Sequence, residues 1–483
     1  MPISEEVFFL KPDFEGTLQT EIRQMVASGI LSGRFRPDEK LPSSRKLAQH
    51  LGISRLTVTL AYQELMADDY LTSKGKSGYF VSTNAPPAPE IPQKKSHDSV
   101  DWTRAIGQRF TGSRAVEKLA DWEKFEFPFI YGQADRSLFD QQNWRLCALD
   151  ALGKRDFTPM TTDYADRDDP QLVAFIARHT LPRRGILANA DEILITAGAQ
   201  NALWLTAQVL LTQRRTAAFE DPCYSGLRDI LRQVRCHLAP TSLDKNGLVL
   251  SQLSKETDVV FTTPSHQCPT NATMPLSRRT ALLKRAREDD FLIVEDDYEF
   301  EMAFLQPALP ALKSLDEDGR VVHVGSFSKS LFPGLRLGYL VGPAPFIAEA
   351  RALRSTVLRH IPGHIQRTTA YFLSRGHYDA LIRRIRLAFH ERREVIDREI
   401  KVSRLEIAGS GDFGGSSLWM RCPKKKTVQE IADAARKVGV LIESGVPFFN
   451  GNEGENYYRL GYSSIPSSSI PEGIKRLASV IHD

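Results

Sequence analysis

The chain has 483 residues, more than one ordinary domain holds, so two or three domains are expected. Its 42% hydrophobic and 25% charged residues suit soluble globular domains with a large core, and a net charge of +4 does not by itself imply a nucleic-acid partner. The five cysteines (Cys147, Cys223, Cys236, Cys268, Cys422) contain no CxxC pair, which argues against a disulfide framework or zinc site and for a reducing compartment. MPISEEVFFLKPDFEG lacks a basic segment and a long apolar run, so no signal peptide is expected. No stretch of about 18 uncharged apolar residues follows, so no membrane helix is expected, and the protein reads as cytoplasmic.

Between residues 14 and 32, Leu18, Ile22, Val26 and Ile30 recur at steps of four, as one helix face does. Arg36-Pro37 to Leu41-Pro42 interrupt the pattern. Ser43 then caps a short helix carrying Leu47 and Leu51, and Gly52 ends it. Ser54 starts a second helix with Val58, Tyr62, Leu65 and Met66 on one side. Two helices joined by a tight glycine turn form a helix-turn-helix, and YLTSKGKSGYFVS alternates apolar residues about a basic tip, as a two-stranded wing does. In such a module the second helix enters the major groove N-terminus first. Arg55, Thr57 and Thr59 would project from that end and Arg45 from the helix before, while Lys74 and Lys76 at the wing tip could reach phosphates or the minor groove. On the pattern alone, a protein-binding use stays open.

LPSSRKLAQHLGISRLTVTLAYQELMADDYLTSKGKSGYFV resembles the winged helix-turn-helix of GntR-type bacterial regulators, over about residues 12–82. The resemblance implies operator DNA as a partner and puts Arg45, Arg55, Thr57 and the wing around Gly75 at positions that touch it. Leu56 departs from it, standing where relatives often carry a polar residue.

Asn84 to Asp98 is Pro-rich and polar, which reads as a semi-extended linker within residues 83–119, ahead of a large domain at 120–483. There EILITAG, TAAFEDPCY, DVVFTTPSH, FLIVEDDYEF and RVVHVGSFSK each read as a buried strand, and helical patterns separate them. Such runs suggest an α/β domain with a mainly parallel sheet covered on both faces. Polar residues follow each run and so gather at the carboxyl end of the sheet, where open α/β folds bind ligands.

Those strand ends complement one another chemically. In GSFSKSLFPGLRLGY, Lys329 suits a Schiff base with a phosphorylated aldehyde, with Ser326, Ser328 and Arg336 available to the phosphate. Ala199-Gln200-Asn201 opens a helix whose amides could also hold phosphate. Tyr224 could stack on a planar cofactor. Asp296 could pair with a protonated pyridine nitrogen, and Tyr298, on the same side if the strand continues, could bond a phenolic oxygen. Singly each could be a helix cap, a core tyrosine or an exposed carboxylate.

In this order the residues resemble fold type I aminotransferases, which use pyridoxal 5′-phosphate (PLP), and the whole chain resembles MocR-subfamily regulators of the GntR group. The resemblance implies an N-terminal winged helix-turn-helix, a fold type I domain and a small C-terminal α+β subdomain. It implies that Lys329 carries the internal aldimine, Asp296 faces the pyridine nitrogen, Tyr298 the phenolic oxygen, and Tyr224 stacks. Gly198, Ala199, Gln200, Ser326, Ser328 and Arg336 would surround the phosphate. Arg459, in YYRLGYSSI, matches the arginine that holds a substrate carboxylate, the planar partner that suits a guanidinium. FPFIYGQADRSLFDQQNW is similar to the entry region of the large domain in taurine- and ectoine-catabolism regulators, and Tyr131 there would line the effector pocket.

Three positions depart from the pattern. Cys268 and Asn271 stand where aminotransferases have Asn and Gly, so an asparagine contact to the cofactor is lost or passes to His266 or Gln267. Gly226 stands where some of these regulators place a second ligand-binding arginine. The basic helix RRIRLAFHERREVIDRE reads as a solvated face or as an auxiliary DNA contact. The expected protein is a homodimeric regulator in which an amino-compound effector forms an external aldimine at Lys329 and alters operator binding. The DNA-binding domain of one chain would pack against its partner. An active aminotransferase with an accessory DNA module, and a sensor of PLP itself, stay open.

Overall fold

The computed structural model describes residues 2–11, 14, 16–86, 100–111, 119, 121–163 and 166–482, with backbone only at 76, 156 and 159. The chain forms two compact units, Met1–Arg109 and Phe110–Asp483. Most of the expected linker lies outside the described residues.

In the first unit, α1 (Leu18–Leu31), α2 (Ser44–Leu51) and α3 (Arg55–Ala67) precede an antiparallel pair, β1 (Leu71–Ser73) and β2 (Tyr79–Val81). Thr17, Ser43 and Ser54 cap the three helices through side-chain acceptors, and Gly52, at φ +68°, ends α2. The first helix therefore begins later than residue 14, and Leu18 in its first turn is 44% exposed rather than in the core. Ile22, Val26, Ile30, Leu47, Val58, Tyr62 and Leu65 close the three-helix core. The Tyr62 hydroxyl donates to Pro42 O at 3.1 Å, which lets the ring be buried without an unpaired hydroxyl.

The second unit is built on an eight-stranded sheet. Its order is Ile193–Thr196, Gly338–Val341, Val321–Ser326, Leu292–Asp296, Val259–Thr262, Thr216–Asp221, His237–Asp244 and Gly247–Leu248. All five expected strands are present. The neighbours from Val321–Ser326 through His237–Asp244 run parallel, whereas Gly338–Val341 is antiparallel to both of its neighbours. Apolar clusters pack on both faces of the sheet, which is why its central strands are apolar on consecutive residues. His237–Asp244 is the exception: it lies near the sheet edge and alternates with exposed polar residues, so no continuous run announces it.

A four-stranded antiparallel sheet (Glu406–Ile407, Ser417–Arg421, Tyr457–Gly461, Glu443–Ser444), with helices Val428–Lys437 and Ile470–His482, forms the small α+β subdomain. The long helix His377–Val402 buries Leu381, Ile385, Phe389, Ile396 and Ile400. Its arginines are not simply a solvated face. Arg392, 6% exposed, pairs with Asp135 and donates to Ser463 O, and Arg393, 7% exposed, holds Asp397 at 2.8 Å and Gly411 O at 3.0 Å. These side chains tie loops to the helix, so the charge run is largely structural. Among the described residues, no helix is long and apolar enough to cross a membrane.

Candidate cofactor and effector site

Strand Leu292–Asp296 delivers Asp296 to the carboxyl end of the sheet, and both flanking carboxylates are tied down. Glu295 accepts from Leu312 N at 2.6 Å and Lys313 N at 3.0 Å, and faces His323 Nδ1 at 3.0 Å. Asp297 accepts from Arg184 Nε at 2.6 Å, a pair 2% and 0% exposed. Asp296, which alternation sends to the other side, keeps its Oδ1 enclosed with no hydrogen-bond partner. Burial, with the charges of Asp297, Glu220 and Glu295, pushes its carboxyl up to about 8, and Lys329 acts against that rise. The strand stops at Asp296, so Tyr298 does not extend it. Tyr298 instead leaves the sheet and packs with Tyr224 around the cluster of Cys268, Trp419 and Phe448.

A second group of polar residues gathers at Gly198. This glycine has φ +82° and precedes helix Ala199–Leu210, whose N-terminus has no side-chain cap. A Cβ on Gly198 would stand 3.4 Å from Arg336 Nη2 and 3.7 Å from Ser328 Oγ. Arg336 Nη2 donates to Ala197 O at 3.4 Å, Ser328 N donates to Ser326 Oγ at 3.1 Å, and Ser328 Oγ is enclosed without a partner. Free helix amides, a guanidinium and a hydroxyl around a glycine make a cradle for a phosphate. The Tyr224 hydroxyl donates to Gln200 Oε1 at 3.3 Å beside that helix end, and burial pushes the phenol up to about 12.

Lys329 follows Ser328 directly and belongs to both regions. Its Nζ lies 3.9 Å from the centre of the Tyr131 ring, whose neighbour on the far chain segment is Arg459, with Cζ 4.0 Å from the same centre. The residues fit PLP on chemical grounds: Asp296, with Oδ1 unpartnered, suits a pyridinium, the helix N-terminus, Ser328 and Arg336 around Gly198 suit a phosphate, and Lys329 follows Ser328 and bears on Asp296 electrostatically.

Arg459 is 4% exposed on strand Tyr457–Gly461 and is already paired. Its Nε donates to Glu443 Oε2 at 2.8 Å, and Phe448 lies 4.7 Å from its Cζ. Although burial pulls the guanidinium pKa down, Glu443 raises it above the usual arginine value. Glu299 is also buried here: Ser416 Oγ donates to its Oε1, while Oε2 has no partner. Burial raises its carboxyl, against the charges of Lys329 and Arg459. Neither glutamate was legible from the sequence. Glu443 sits in LIESG with no motif, and only the register that sets it opposite Arg459 reveals it. Glu299 carries one faint signal, its place three residues after Asp296.

The departures resolve unevenly. Gln267 does not take over an asparagine's contact: its amide nitrogen is bound to Glu220 Oε2 at 3.1 Å, Pro222 O at 2.8 Å and Cys268 O at 2.8 Å. His266 faces Asp297, Arg184 and Arg279, and burial lowers its imidazole to about 4. Cys268 instead stands in the electrostatic neighbourhood of Arg459, Lys329 and Asp296, where burial pushes the thiol up to about 11. Asn271 adopts φ +59°, which explains a glycine pattern there, since asparagine tolerates that region. A Cβ on Gly226 would lie 2.6 Å from the Tyr224 ring, so a side chain there requires Tyr224 to move.

In the N-terminal unit, Arg45 and Arg55 are exposed near the starts of α2 and α3, and Arg55 Nε donates to Ser44 Oγ at 3.4 Å. Thr57 is partly exposed, and Thr59 Oγ1 donates to Arg55 O at 2.9 Å. At the wing, Gly75 has φ +56° with open space around it, and Lys74 Nζ lies 2.8 Å from Asp38. Lys76, described by backbone alone, is in the turn Gly75–Ser77.

These two units define a winged helix-turn-helix joined to a fold type I aminotransferase-like domain. Comparison with known proteins matches bacterial regulatory proteins of the gntR family over residues 18–81 and aminotransferases class I and II over residues 138–477. The chain is 56% identical, over 100% of both chains, to the HTH-type transcriptional regulator TauR of Rhodobacter capsulatus. It is 28% identical to the probable rhizopine catabolism regulatory protein MocR of Rhizobium meliloti, over 97% of this chain and 95% of that one. Among solved structures, the α-aminoadipate aminotransferase LysN of Thermus thermophilus, in complex with N-(5′-phosphopyridoxyl)-L-leucine, is 26% identical. It superposes with a TM-score of 0.71 over 79% of this chain and 98% of that one. The chain belongs to the MocR-type transcriptional regulators of the GntR family.

Proposed function

We propose that this regulator holds PLP at Lys329, and that a small amino compound takes the lysine's place and changes operator binding. The observation that carries the reading is Lys329 placed directly after Ser328 of the Gly198 cradle and within electrostatic reach of Asp296, whose Oδ1 has no hydrogen-bond partner. When bound, PLP supplies an aldehyde that condenses reversibly with amines. Asp296 then faces the pyridine nitrogen and stays ionised through that pairing, Tyr224 and Tyr298 flank the ring, and Gly198, Ala199, Gln200, Ser326, Ser328 and Arg336 hold the phosphate. Tyr131 and Arg459 line the space for the rest of the effector. Arg45, Arg55, Thr57, Thr59, Lys74, Gly75 and Lys76 make the operator contacts. The protein acts in the cytoplasm as a homodimer, with the DNA-binding unit of one chain packed on its partner.

The similarity of the Tyr131 segment to taurine-catabolism regulators makes taurine, an amine with a sulfonate and no carboxylate, the first probe. The test is to add PLP and then taurine to the purified protein, following the absorbance of the lysine-bound cofactor and operator affinity together. A lasting spectral change with altered DNA binding supports the regulator. Steady formation of carbonyl product and pyridoxamine phosphate over many turnovers would instead make it an aminotransferase. A Lys329→Ala protein that keeps the wild-type absorbance band overturns the cofactor assignment.

A further inference from the structure

We infer that Glu443 is a specificity-determining residue: it occupies Arg459 and so selects against amines that carry an α-carboxylate. The inference rests on the site reading above and deepens it. Arg459 borders Lys329 through the shared ring of Tyr131, and it would be the natural receiver of a carboxylate beside the condensing amine. Here a carboxylate is already built in. Glu443 and Arg459 are directly opposed residues of an antiparallel pair, so the backbone register holds them together at 2.8 Å. Tyr131 at 4.0 Å and Phe448 at 4.7 Å lie against the guanidinium, and both charged residues are at most 5% exposed.

The pair with Arg459 uses Oε2 of Glu443, and Oε1 is enclosed and unpartnered. Glu299, whose carboxyl burial raises, also lies near Lys329 and Arg459. A ligand carboxylate brought to the remaining edge of Arg459 therefore meets a cation already compensated by the like charge of Glu443, with little water between them. Coulomb repulsion is strong in that setting. A neutral amide of the same shape meets a hydrogen-bond acceptor, Glu443 Oε1, instead. For a group on the amine-bearing carbon the preference is thus set by charge, not by size; the sulfonate of taurine sits one carbon further out.

The test compares L-alanine with L-alaninamide, which differ in the charge of one group, on the full-length protein loaded with PLP. Binding is read from the cofactor's absorbance and corrected for the fraction of free amine. Wild type should bind L-alanine at least tenfold more weakly than L-alaninamide. In Glu443→Gln that ratio should fall tenfold or more, while Glu443→Asp, which keeps the charge, should retain the wild-type ratio. An unchanged ratio in Glu443→Gln overturns the inference. Should that variant fail to fold, equal or tighter L-alanine binding by wild type overturns it as well. A protein that develops no cofactor band, or no response to either amine, refutes the site reading itself, which separates the two failures.

Discussion

Asp296→Asn tests the cofactor site before any cofactor is added. In the PLP-free protein the Asp296 carboxyl is pushed from 3.8 up to about 8 by burial and by Asp297, Glu220 and Glu295. The folded state therefore binds one more proton than the unfolded state between those two values. Stability from this group is greatest at low pH and is lost as pH rises through the window. One proton of linkage corresponds to at most about 1.4 kcal/mol per pH unit, flattening near pH 8 where the folded carboxyl ionises. Asparagine keeps the shape and removes the titration. Thermal unfolding of the PLP-free proteins from pH 5 to pH 9 should show a widening advantage for Asp296→Asn up to about pH 8. Added PLP should reverse the order, because the pyridinium gives the aspartate its missing cation and gives asparagine nothing comparable. Parallel unfolding curves for the two PLP-free proteins across that range would refute the argument that Asp296 is an unpaired buried acid.

Arg55→Ala should weaken operator binding by roughly 1–3 kcal/mol if Arg55 reads a base, with the cofactor band unchanged; an electrophoretic titration at two salt concentrations separates base reading from a phosphate contact, which would lower the salt slope by about one. Arg184→Met removes the partner of Asp297, whose carboxyl that arginine holds at about 2 against burial. The loss should cost about 3–5 kcal/mol above pH 4 and less as pH falls toward 2, and Arg184→Met/Asp297→Asn should recover part of it; calorimetry of the PLP-free protein checks both.

The parts of the fold that were readable were those where one local feature decides the outcome. Ser43, Gly52 and Ser54 mark helix ends by their own chemistry, and a strand buried on both faces must be apolar on consecutive residues, as Val259–Thr262 and Val321–Ser326 are. His237–Asp244 obeys no such rule because it is near an edge and wets its polar side chains. The site divides in the same way. Asp296, Lys329 and the Gly198 cradle each sit at the end of a readable strand, whereas Tyr298 was assigned to a strand that stops two residues earlier. Glu443 pairs with Arg459 across 16 residues of chain, a relation set by sheet register that leaves no periodic trace. Arg392 and Arg393 show the converse error, since a charge run looks solvated until its partners, Asp135 and Asp397, are located.

On the proposed function, the operator contacts and the amine site belong to different compact units, and the effector has to carry its effect from one to the other. It can act only by binding two arrangements of the protein with different affinity, because a ligand that binds both equally shifts nothing. That requirement is reciprocal. If taurine changes operator affinity by a factor of about 30, a coupling near 2 kcal/mol, then saturating operator DNA must change taurine affinity by the same factor. Titrating taurine by cofactor absorbance with and without operator DNA measures it. Equal taurine affinities in the two titrations, alongside a taurine-dependent operator affinity at equilibrium, would break the thermodynamic cycle. The DNA effect would then have to come from something other than occupancy of the Lys329 site.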